Sequence, residues 1–188
     1  MSPPPWASGL NGDGGWAVGL TANERFKTSD SLSTFGLWGT IGIGDVYLET
    51  RALASDYRYI QSEGGANPTY PLFYTTIYVF QLGLLYAPAI RLSRVLKLSP
   101  HVGGGWCAVD IKTRIWLSSS QSGGESKDKS PGRYAHLGAS LLFLQDRIRT
   151  GFDFQRVRGT QVMMFGTQET ADHDQITFLV SYHWGGPR

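Results

Sequence analysis

The sequence predicts an all-β fold, an eight-stranded antiparallel up-and-down β-barrel. Apolar and polar residues alternate in eight separate segments, and a period of two is the spacing of a strand with one apolar face. Stretches rich in glycine, proline and small polar residues separate these segments, as expected of turns and loops. No segment has the apolar spacing of a convincing helix. Together these patterns indicate consecutive strands joined by hairpin connections.

The last predicted strand, 174–184, has the clearest alternation. Its apolar face carries Ile176, Phe178, Val180, Tyr182 and Trp184. The other predicted strands are 16–26, 32–43, 46–60, 73–86, 96–117, 134–143 and 147–157. In the strand 96–117 the apolar residues change parity near Ala108, which predicts a β-bulge at that residue.

The chain has 188 residues, enough for one domain. Residues 1–15 are rich in proline and glycine without periodicity, and we expect a flexible leader there. Residues 16–184 form a single barrel domain, and residues 185–188 form a C-terminal tail. The N-terminus has neither the charged nor the apolar region of a signal peptide, so we expect a mature form that lacks one.

The connections between the predicted strands alternate in length. Those after the second and sixth strands are short and that after the fourth is intermediate, whereas long polar segments follow the third, fifth and seventh. Because alternate connections of an antiparallel barrel lie at opposite ends, the long ones share one end. They are residues 61–71, 118–132 and 158–172. Residues 118–132 include no core-forming residue, which predicts an exposed loop.

Composition excludes several classes of protein. The net charge of +2 argues against a nucleic-acid-binding protein with a basic surface, so no nucleic-acid partner is expected. No run approaches the ~18 apolar residues that a membrane helix requires. The single cysteine, Cys107, excludes an intrachain disulfide and a CxxC metal site. The mean hydropathy of −0.19 is expected where apolar and polar residues alternate.

The C-terminal pattern resembles that of bacterial outer-membrane β-barrels, whose closing strand alternates and ends in an aromatic residue. Trp184 takes that position, although residues 185–188 follow it. The resemblance is to the small eight-stranded class of the OmpX and OmpA transmembrane-domain type. It implies a transmembrane barrel in the outer membrane of a Gram-negative envelope, with the lipid bilayer and lipopolysaccharide as partners.

Two further features favour a transmembrane barrel over a soluble one. The predicted strands have ~10 or more residues, which matches a tilted span of the bilayer, whereas soluble strands average ~5–6 residues. The apolar faces are rich in tyrosine, tryptophan and phenylalanine, which suit a membrane–water interface. Periodicity alone does not show which face turns inward, so a soluble lipocalin-like ligand carrier remains an alternative.

Charged residues of both signs lie on the faces opposite the apolar ones. In a membrane barrel these faces line the lumen, and a narrow eight-stranded barrel fills its lumen with side chains. Buried charges must then pair with one another. The sequence therefore predicts a lumen ion-pair network, instead of an open pore, formed by Arg25, Glu49, Arg51, Asp110, Lys112, Arg114, His136, Arg149 and Asp153.

These predictions favour a non-enzymatic function. The protein would be a membrane scaffold, the anchoring subunit of an envelope complex, or a surface-interaction protein that binds other envelope proteins through loops 61–71, 118–132 and 158–172. The first alternative is a lipid A- or phospholipid-modifying enzyme. His136 and Ser140 share a face, but four residues along one strand separate them by about 13 Å. We therefore predict no catalytic residue, no metal site and no cofactor.

Overall fold

A computed structural model of the protein describes residues 9–22, 32–60, 72–117 and 122–185, and all structural statements refer to these residues. Among them, no helix has the length and apolar character needed to cross a membrane. The strands are β1 (Leu10–Ala22), β2 (Leu32–Ile43), β3 (Val46–Ile60), β4 (Leu72–Tyr86), β5 (Ile90–Arg91), β6 (Lys97–Trp116), β7 (Ser122–Phe143), β8 (Ile148–Arg158), β9 (Gln161–Met164), β10 (Thr167–Thr170) and β11 (His173–Gly185).

Eight long strands form a closed antiparallel barrel, which confirms the predicted fold class. Consecutive long strands pair with each other, and β4 pairs with β6 past the short β5. The barrel closes where β1 pairs with β11, from Asn11–Gly185 to Ala22–Asp174. Closure gives the backbone of each strand partners on both sides, so the sheet leaves few unpaired polar groups along its height.

β1 begins at Leu10 instead of Trp16, so residues 10–15 of the expected leader belong to the barrel. This segment is rich in glycine, which has no side chain to alternate, and its sequence therefore shows no strand signal. Its backbone nevertheless pairs with both β2 and β11. Residues 1–8 of the expected leader and 186–188 of the expected tail lie outside the described residues, whereas Gly185 still belongs to β11.

β6 has no bulge near Ala108, and that prediction is wrong. Its pairing with β4 runs without a shift from Val102 to Trp116, and its irregularity against β7 lies between its last two residues. The side chains therefore keep one parity, and Val109 and Ile111 are buried inside the barrel. The change of parity in the sequence is misleading because the inner face becomes apolar at this height, while the outer face becomes charged.

Residues 118–132 are not an exposed loop throughout, because β7 begins at Ser122. Residues 122–132 of β7 pair with residues 107–116 of β6, and these two segments are here called the raised wall. The β6 segment also pairs with residues 72–81 of β4. The raised wall continues beyond the end of β8 at Arg158. Its small polar residues show no apolar alternation, so backbone pairing forms a strand that the sequence did not reveal.

The connection 158–172 also contains regular structure, a hairpin of β9 and β10. Val162 and Met164 of β9 are buried against the barrel, whereas Met163 between them is exposed. The third long connection, 61–71, lies outside the described residues.

The outer surface of the barrel is a band of exposed apolar side chains. They come from all eight barrel strands and include Trp16, Phe35, Leu48, Phe80, Trp106, Leu137, Phe152 and Phe178. A contiguous apolar surface of this extent is not that of a soluble monomer. A lipocalin-like carrier would need these faces turned inward, so the structure contradicts that alternative.

Candidate functional site

The centre of the lumen holds a group of charged side chains, here called the central network. It consists of Glu49 and Arg51 of β3, His136 of β7 and Asp153 of β8, each at most 3% exposed. Arg51 donates from Nε to Glu49 Oε1 over 2.8 Å. Its Nη1 forms an ion pair with Asp153 Oδ2. The four residues meet because strand alternation directs all of them into the lumen.

His136 lies between the two carboxylates of the central network. Its Nε2 is 2.8 Å from Glu49 Oε2, and its Nδ1 is 2.9 Å from Asp153 Oδ1. The hydroxyl of Tyr134 donates to Glu49 over 3.4 Å. Glu49 thus faces donors or cations on both of its oxygens, and Asp153 faces the guanidinium of Arg51 on Oδ2, which offsets the cost of burying these charges.

A second charged cluster lies nearer to the chain termini. Arg149 Nη1 is 3.0 Å from Asp13 Oδ2, and His183 Nδ1 is 3.1 Å from Asp13 Oδ1. The hydroxyl of Thr40 donates to Asp13 over 3.2 Å. The guanidinium carbon of Arg149 lies 5.8 Å from the centre of the Trp38 ring. Arg149, predicted to be part of one network, therefore has partners different from those of the central network.

Sequence reasoning missed two lumen residues of these clusters, Asp13 and His101. Asp13 falls in the glycine-rich segment that was assigned to the leader. The buried His101 places Nε2 at 3.4 Å from Asp153 Oδ1. Its side chain points to the same face of β6 as that of Cys107, and to the face opposite that of Trp106. Extending that alternation back along β6 would have placed His101 in the lumen.

Three members of the predicted network face outward from the raised wall: Asp110, Lys112 and Arg114. Glu125 of β7 lies 3.0 Å from the lysine and 2.7 Å from the arginine. Their assignment to the lumen depended on the bulge near Ala108, and without that bulge the alternation directs them to the outer face. Arg25, the remaining member, lies outside the described residues.

Above the central network the lumen holds apolar side chains beside a hydrogen-bonded group of Thr21, Thr34, Ser55 and Gln175. This buried cluster draws on seven barrel strands and on β9, and includes Ala17, Leu53, Val79, Val109, Tyr134, Val157, Val162, Met164 and Leu179. The interior thus has three successive levels: the charged cluster near the termini, the central network and the apolar cluster beneath the β9–β10 hairpin.

No protein-family model and no curated protein matches the sequence. Solved structures match the fold. Ail of Yersinia pestis, solved with the heparin analogue sucrose octasulfate, aligns with a TM-score of 0.53 at 12% identity, over 94% of this chain and 99% of that chain. Neisserial surface protein A aligns with a TM-score of 0.51 at 11% identity, over 95% and 98%. A major outer membrane protein from Thermus thermophilus aligns with a TM-score of 0.55 at 8% identity, over 93% and 99%.

This chain has the fold of the eight-stranded outer-membrane β-barrels. In such barrels the turns on the periplasmic side are short and the external connections are longer. We therefore expect the turns at Gly44 and at residues 144–147, together with the termini, to mark the periplasmic end. The raised wall and the β9–β10 hairpin then lie at the external end.

At the end of the barrel opposite the described termini, the β9–β10 hairpin is fixed to the raised wall by hydrogen bonds. Asp128 Oδ2 accepts from the backbone N–H of Met163 over 2.5 Å. The Ser130 hydroxyl accepts from the backbone N–H of Gln161 over 2.8 Å. The N–H groups of Met163 and Lys129 hold the pKa of Asp128 below its usual value. The hairpin therefore covers the edge of β7 that β8 does not reach.

Cations outnumber carboxylates on the outer face of the barrel above the apolar band. The strands β6, β7, β8 and β11 contribute to this surface, here called the basic patch. Its cations are Lys112, Arg114, Lys127, Lys129, Arg133, Arg156 and Arg158, and its carboxylates are Asp110, Glu125 and Asp174.

Proposed function

We propose that this protein is a non-enzymatic outer-membrane barrel that is anchored in the outer leaflet and presents the raised wall as an interaction surface. The proposal rests on one observation: the lumen is filled with side chains, while the raised wall extends beyond the apolar band. A narrow barrel filled in this way is suited to stability and not to passage of solutes. Its external surface is therefore the part available to partners.

The basic patch supports anchoring to lipopolysaccharide. Phosphate groups of that lipid lie at the level of the outer-leaflet headgroups, directly above the acyl chains that cover an apolar band. Arginine and lysine bind phosphate oxygens through charge-assisted hydrogen bonds. Each cation near an anionic membrane surface contributes about 1 kcal/mol to binding. The basic patch therefore matches the charge and the height of these phosphates.

The raised wall supports a role in binding other envelope proteins. Its two strands are paired along their length, so a partner would order few additional residues on binding. The β9–β10 hairpin adds an exposed surface beside it, with Met163 and Phe165 outermost. Ail, of the same fold, was solved with an anionic heparin analogue. By analogy of charge, that complex supports an anionic ligand for the basic patch.

Location in the bacterial outer membrane is the part of the proposal that is tested first. The full chain is refolded from urea with and without detergent, and unheated samples are run on a gel. We expect the compact, fast-migrating form to appear only with detergent, because water cannot solvate the apolar band favourably. A folded, monodisperse monomer in plain buffer would contradict the proposal.

The anchoring is tested with the cross-strand pair Lys112 and Lys127. Changing both to glutamine should weaken binding of fluorescent lipopolysaccharide to the detergent-refolded barrel by about 2 kcal/mol, or about 30-fold. The matched control changes Arg91 and Arg94, in the connection expected to face the periplasm, to glutamine and should leave binding unchanged. Equal weakening by both pairs would indicate non-specific attraction and would refute the assignment of the basic patch.

No specific observation in the described residues favours the enzymatic alternative. A serine hydrolase needs its nucleophile within ~3 Å of the catalytic base. His136 instead faces two carboxylates, and the Ser140 hydroxyl donates to the carbonyl of Ser99 over 3.4 Å. We expect the mass spectrum of lipid A to be the same with and without the protein.

A further inference from the structure

Three potential ligand atoms converge beside the central network. They are Nε2 of His101, Nδ1 of His136 and Oδ1 of Asp153, and all lie within 4.8 Å of one another. The two imidazole nitrogens are 3.4 Å and 2.9 Å from the carboxylate oxygen, respectively. All three side chains are buried. Imidazole nitrogens combined with a carboxylate oxygen are a donor set that zinc and related transition metals use.

Nδ1 of His136 has two contacts that require opposite roles of this nitrogen. Nη2 of Arg51 lies 3.0 Å from Nδ1. A guanidinium can only donate, so its contact requires an acceptor at Nδ1, whereas Oδ1 of Asp153, 2.9 Å from the same nitrogen, requires a donor there. Oε2 of Glu49 lies 2.8 Å from Nε2 and can accept the proton there. A carboxylate on the second ring nitrogen is also the arrangement that orients metal-binding histidines.

The neighbours of His101 leave a lone pair on its Nε2. Nδ1 of this ring lies 3.4 Å from the carbonyl oxygen of Ser99, which can only accept a proton. Nε2 makes no well-formed hydrogen bond to the described residues. With the proton of His136 on Nε2, lone pairs of His101, His136 and Asp153 face one another. Contacts between acceptors are repulsive, and a cation between them would make them attractive.

We propose that His101, His136 and Asp153 bind a divalent transition metal of the zinc type inside the barrel. A tetrahedral zinc ion with bonds of about 2.0–2.1 Å separates its ligand atoms by about 3.3 Å. The observed separations of 2.9 Å and 3.4 Å from Asp153 Oδ1 lie on either side of that value. The two imidazole nitrogens lie within 4.8 Å of each other, so the site forms when their separation closes to the tetrahedral value.

The charged groups around the site carry a net negative charge, which favours binding of a cation. Arg51 binds Oε1 of Glu49 and Oδ2 of Asp153, the oxygens turned away from the imidazoles. It thus orients both carboxylates, but one guanidinium neutralises only one of them. A divalent metal ion would offset this negative charge, leave one net positive charge and displace Nη2 of Arg51 from His136. A proton on Nδ1 of His136 would offset the same charge, which makes protonation the competing explanation.

Two glycines provide the space in which the imidazoles lie. A Cβ atom on Gly103 would lie 2.2 Å from Nε2 of His136, and one on Gly138 would lie 2.5 Å from Nε2 of His101. Both rings therefore pack directly on the backbone of a neighbouring strand. This close approach holds the ring planes in place, as a preformed ligand set requires.

The experiment refolds the full chain from urea into detergent micelles with and without zinc chloride. Unbound metal is removed, and zinc per chain is measured by mass spectrometry. We expect a single tightly held zinc ion in the wild-type protein. The test variant is His101→Gln, which leaves the pairs of Arg51 intact, and gel migration of unheated samples verifies that it folds. Its zinc affinity should fall by at least about tenfold, since one ligand is lost.

The matched control is His173→Gln, because His173 is also buried but its Nδ1 contacts the carbonyl of Ala171 over 2.9 Å, away from the site. It should bind zinc like the wild type. Glu49→Gln, which changes the carboxylate behind His136, should weaken zinc binding by about 10- to 100-fold. Replacing zinc by cobalt adds a readout that needs no variant, because visible absorption bands of a four-coordinate site should appear.

Three results would overturn the proposal. The first is wild-type protein that stays free of metal after refolding with zinc and shows no cobalt bands. The second is equal loss of zinc in His101→Gln and His173→Gln. The third is a thermal stability that does not change with zinc but falls as the pH rises above neutrality. That result would show that a proton on His136, and not a metal ion, stabilises the site.

Discussion

Replacing Phe152 by arginine tests the orientation of the barrel most directly. Phe152 lies in the middle of β8, is 64% exposed on the outer face and packs against Phe178 with ring centres 5.1 Å apart. Arginine at the bilayer midplane on the lipid face of a barrel costs about 2–4 kcal/mol. Loss of the aromatic pair adds about 0.5–1.5 kcal/mol. The variant should therefore be strongly destabilised in lipid.

The arginine cost alone predicts a measurable change. A loss of about 2–4 kcal/mol lowers the ratio of folded to unfolded protein by about 30- to 700-fold. Protein domains have unfolding free energies of about 5–15 kcal/mol, so much of the variant should still fold. The assay is urea-induced unfolding in lipid vesicles, followed by tryptophan fluorescence. The urea midpoint should fall while the slope of the transition stays unchanged.

Met163→Arg is the matched control. Met163 is apolar and 51% exposed, but it lies on β9, outside the apolar band. Surface substitutions in water usually change stability by less than about 0.5 kcal/mol. Equal urea midpoints for the Phe152 and Met163 variants would refute the reasoning, because the outer face of β8 would then not contact lipid.

Three further predictions follow from the contacts in the lumen and the raised wall. Arg51→Met leaves buried carboxylates unpaired and should cost about 3–5 kcal/mol in urea unfolding. Lys97→Met, which removes the partly exposed ion pair of Lys97 with Asp146, should cost at most about 1 kcal/mol. Asp128 has a pKa below its usual value of 3.8 in the folded state, so its contribution is present above that pH and is lost as the pH falls below it. Hydrogen exchange of the Met163 amide should therefore become less protected in acid, and in Asp128→Asn already at neutral pH. Trypsin should not cut the folded barrel at Lys127, because that residue is in a paired strand, and cutting there without unfolding would contradict the raised wall.

The barrel was predictable because lipid outside and packed side chains inside impose one alternation on each strand. β2 has the predicted bounds, Leu32–Ile43, and β3 has the predicted bounds, Val46–Ile60. On β2, Phe35 is exposed while Thr34 and Trp38 are buried. Local sequence suffices where each face meets a single environment throughout the strand.

The raised wall was not predictable in this way, because its outer face is polar and its inner face is apolar, the reverse of the rest of the barrel. Outside the apolar band, water replaces lipid on the outer face, and the β9–β10 hairpin brings apolar side chains to the inner face. Val109 and Ile111 therefore point inward, while Asp110 and Lys112 point outward. The period of two continues, but the chemistry of the two faces is reversed. In the sequence this reversal looks the same as one inserted residue.

The central network was only partly predictable for a related reason. Parity assigns Glu49, Arg51, His136 and Asp153 to inward faces, and the structure places them together. Parity does not show which inward residues meet across the lumen, since β3 and β8 are not neighbours in the sheet and Arg51 nevertheless contacts Asp153. The expectation of no metal site was made without His101, whose approach to Asp153 also depends on strand arrangement.

The volume of the lumen explains why the charges lie where they do. The interior of an eight-stranded barrel is only wide enough for side chains, so a long arginine and two imidazoles at one level require small residues beside them. Gly103 and Gly138 supply that space at the positions where the rings of His136 and His101 approach the backbone. Alanine at either glycine would crowd both a ring and a backbone oxygen, which is Leu84 O at 2.8 Å for Gly103 and Phe152 O at 2.2 Å for Gly138, so it should lower both zinc content and stability. A polar face rich in glycine thus marks the level at which large charged groups fit inside the barrel.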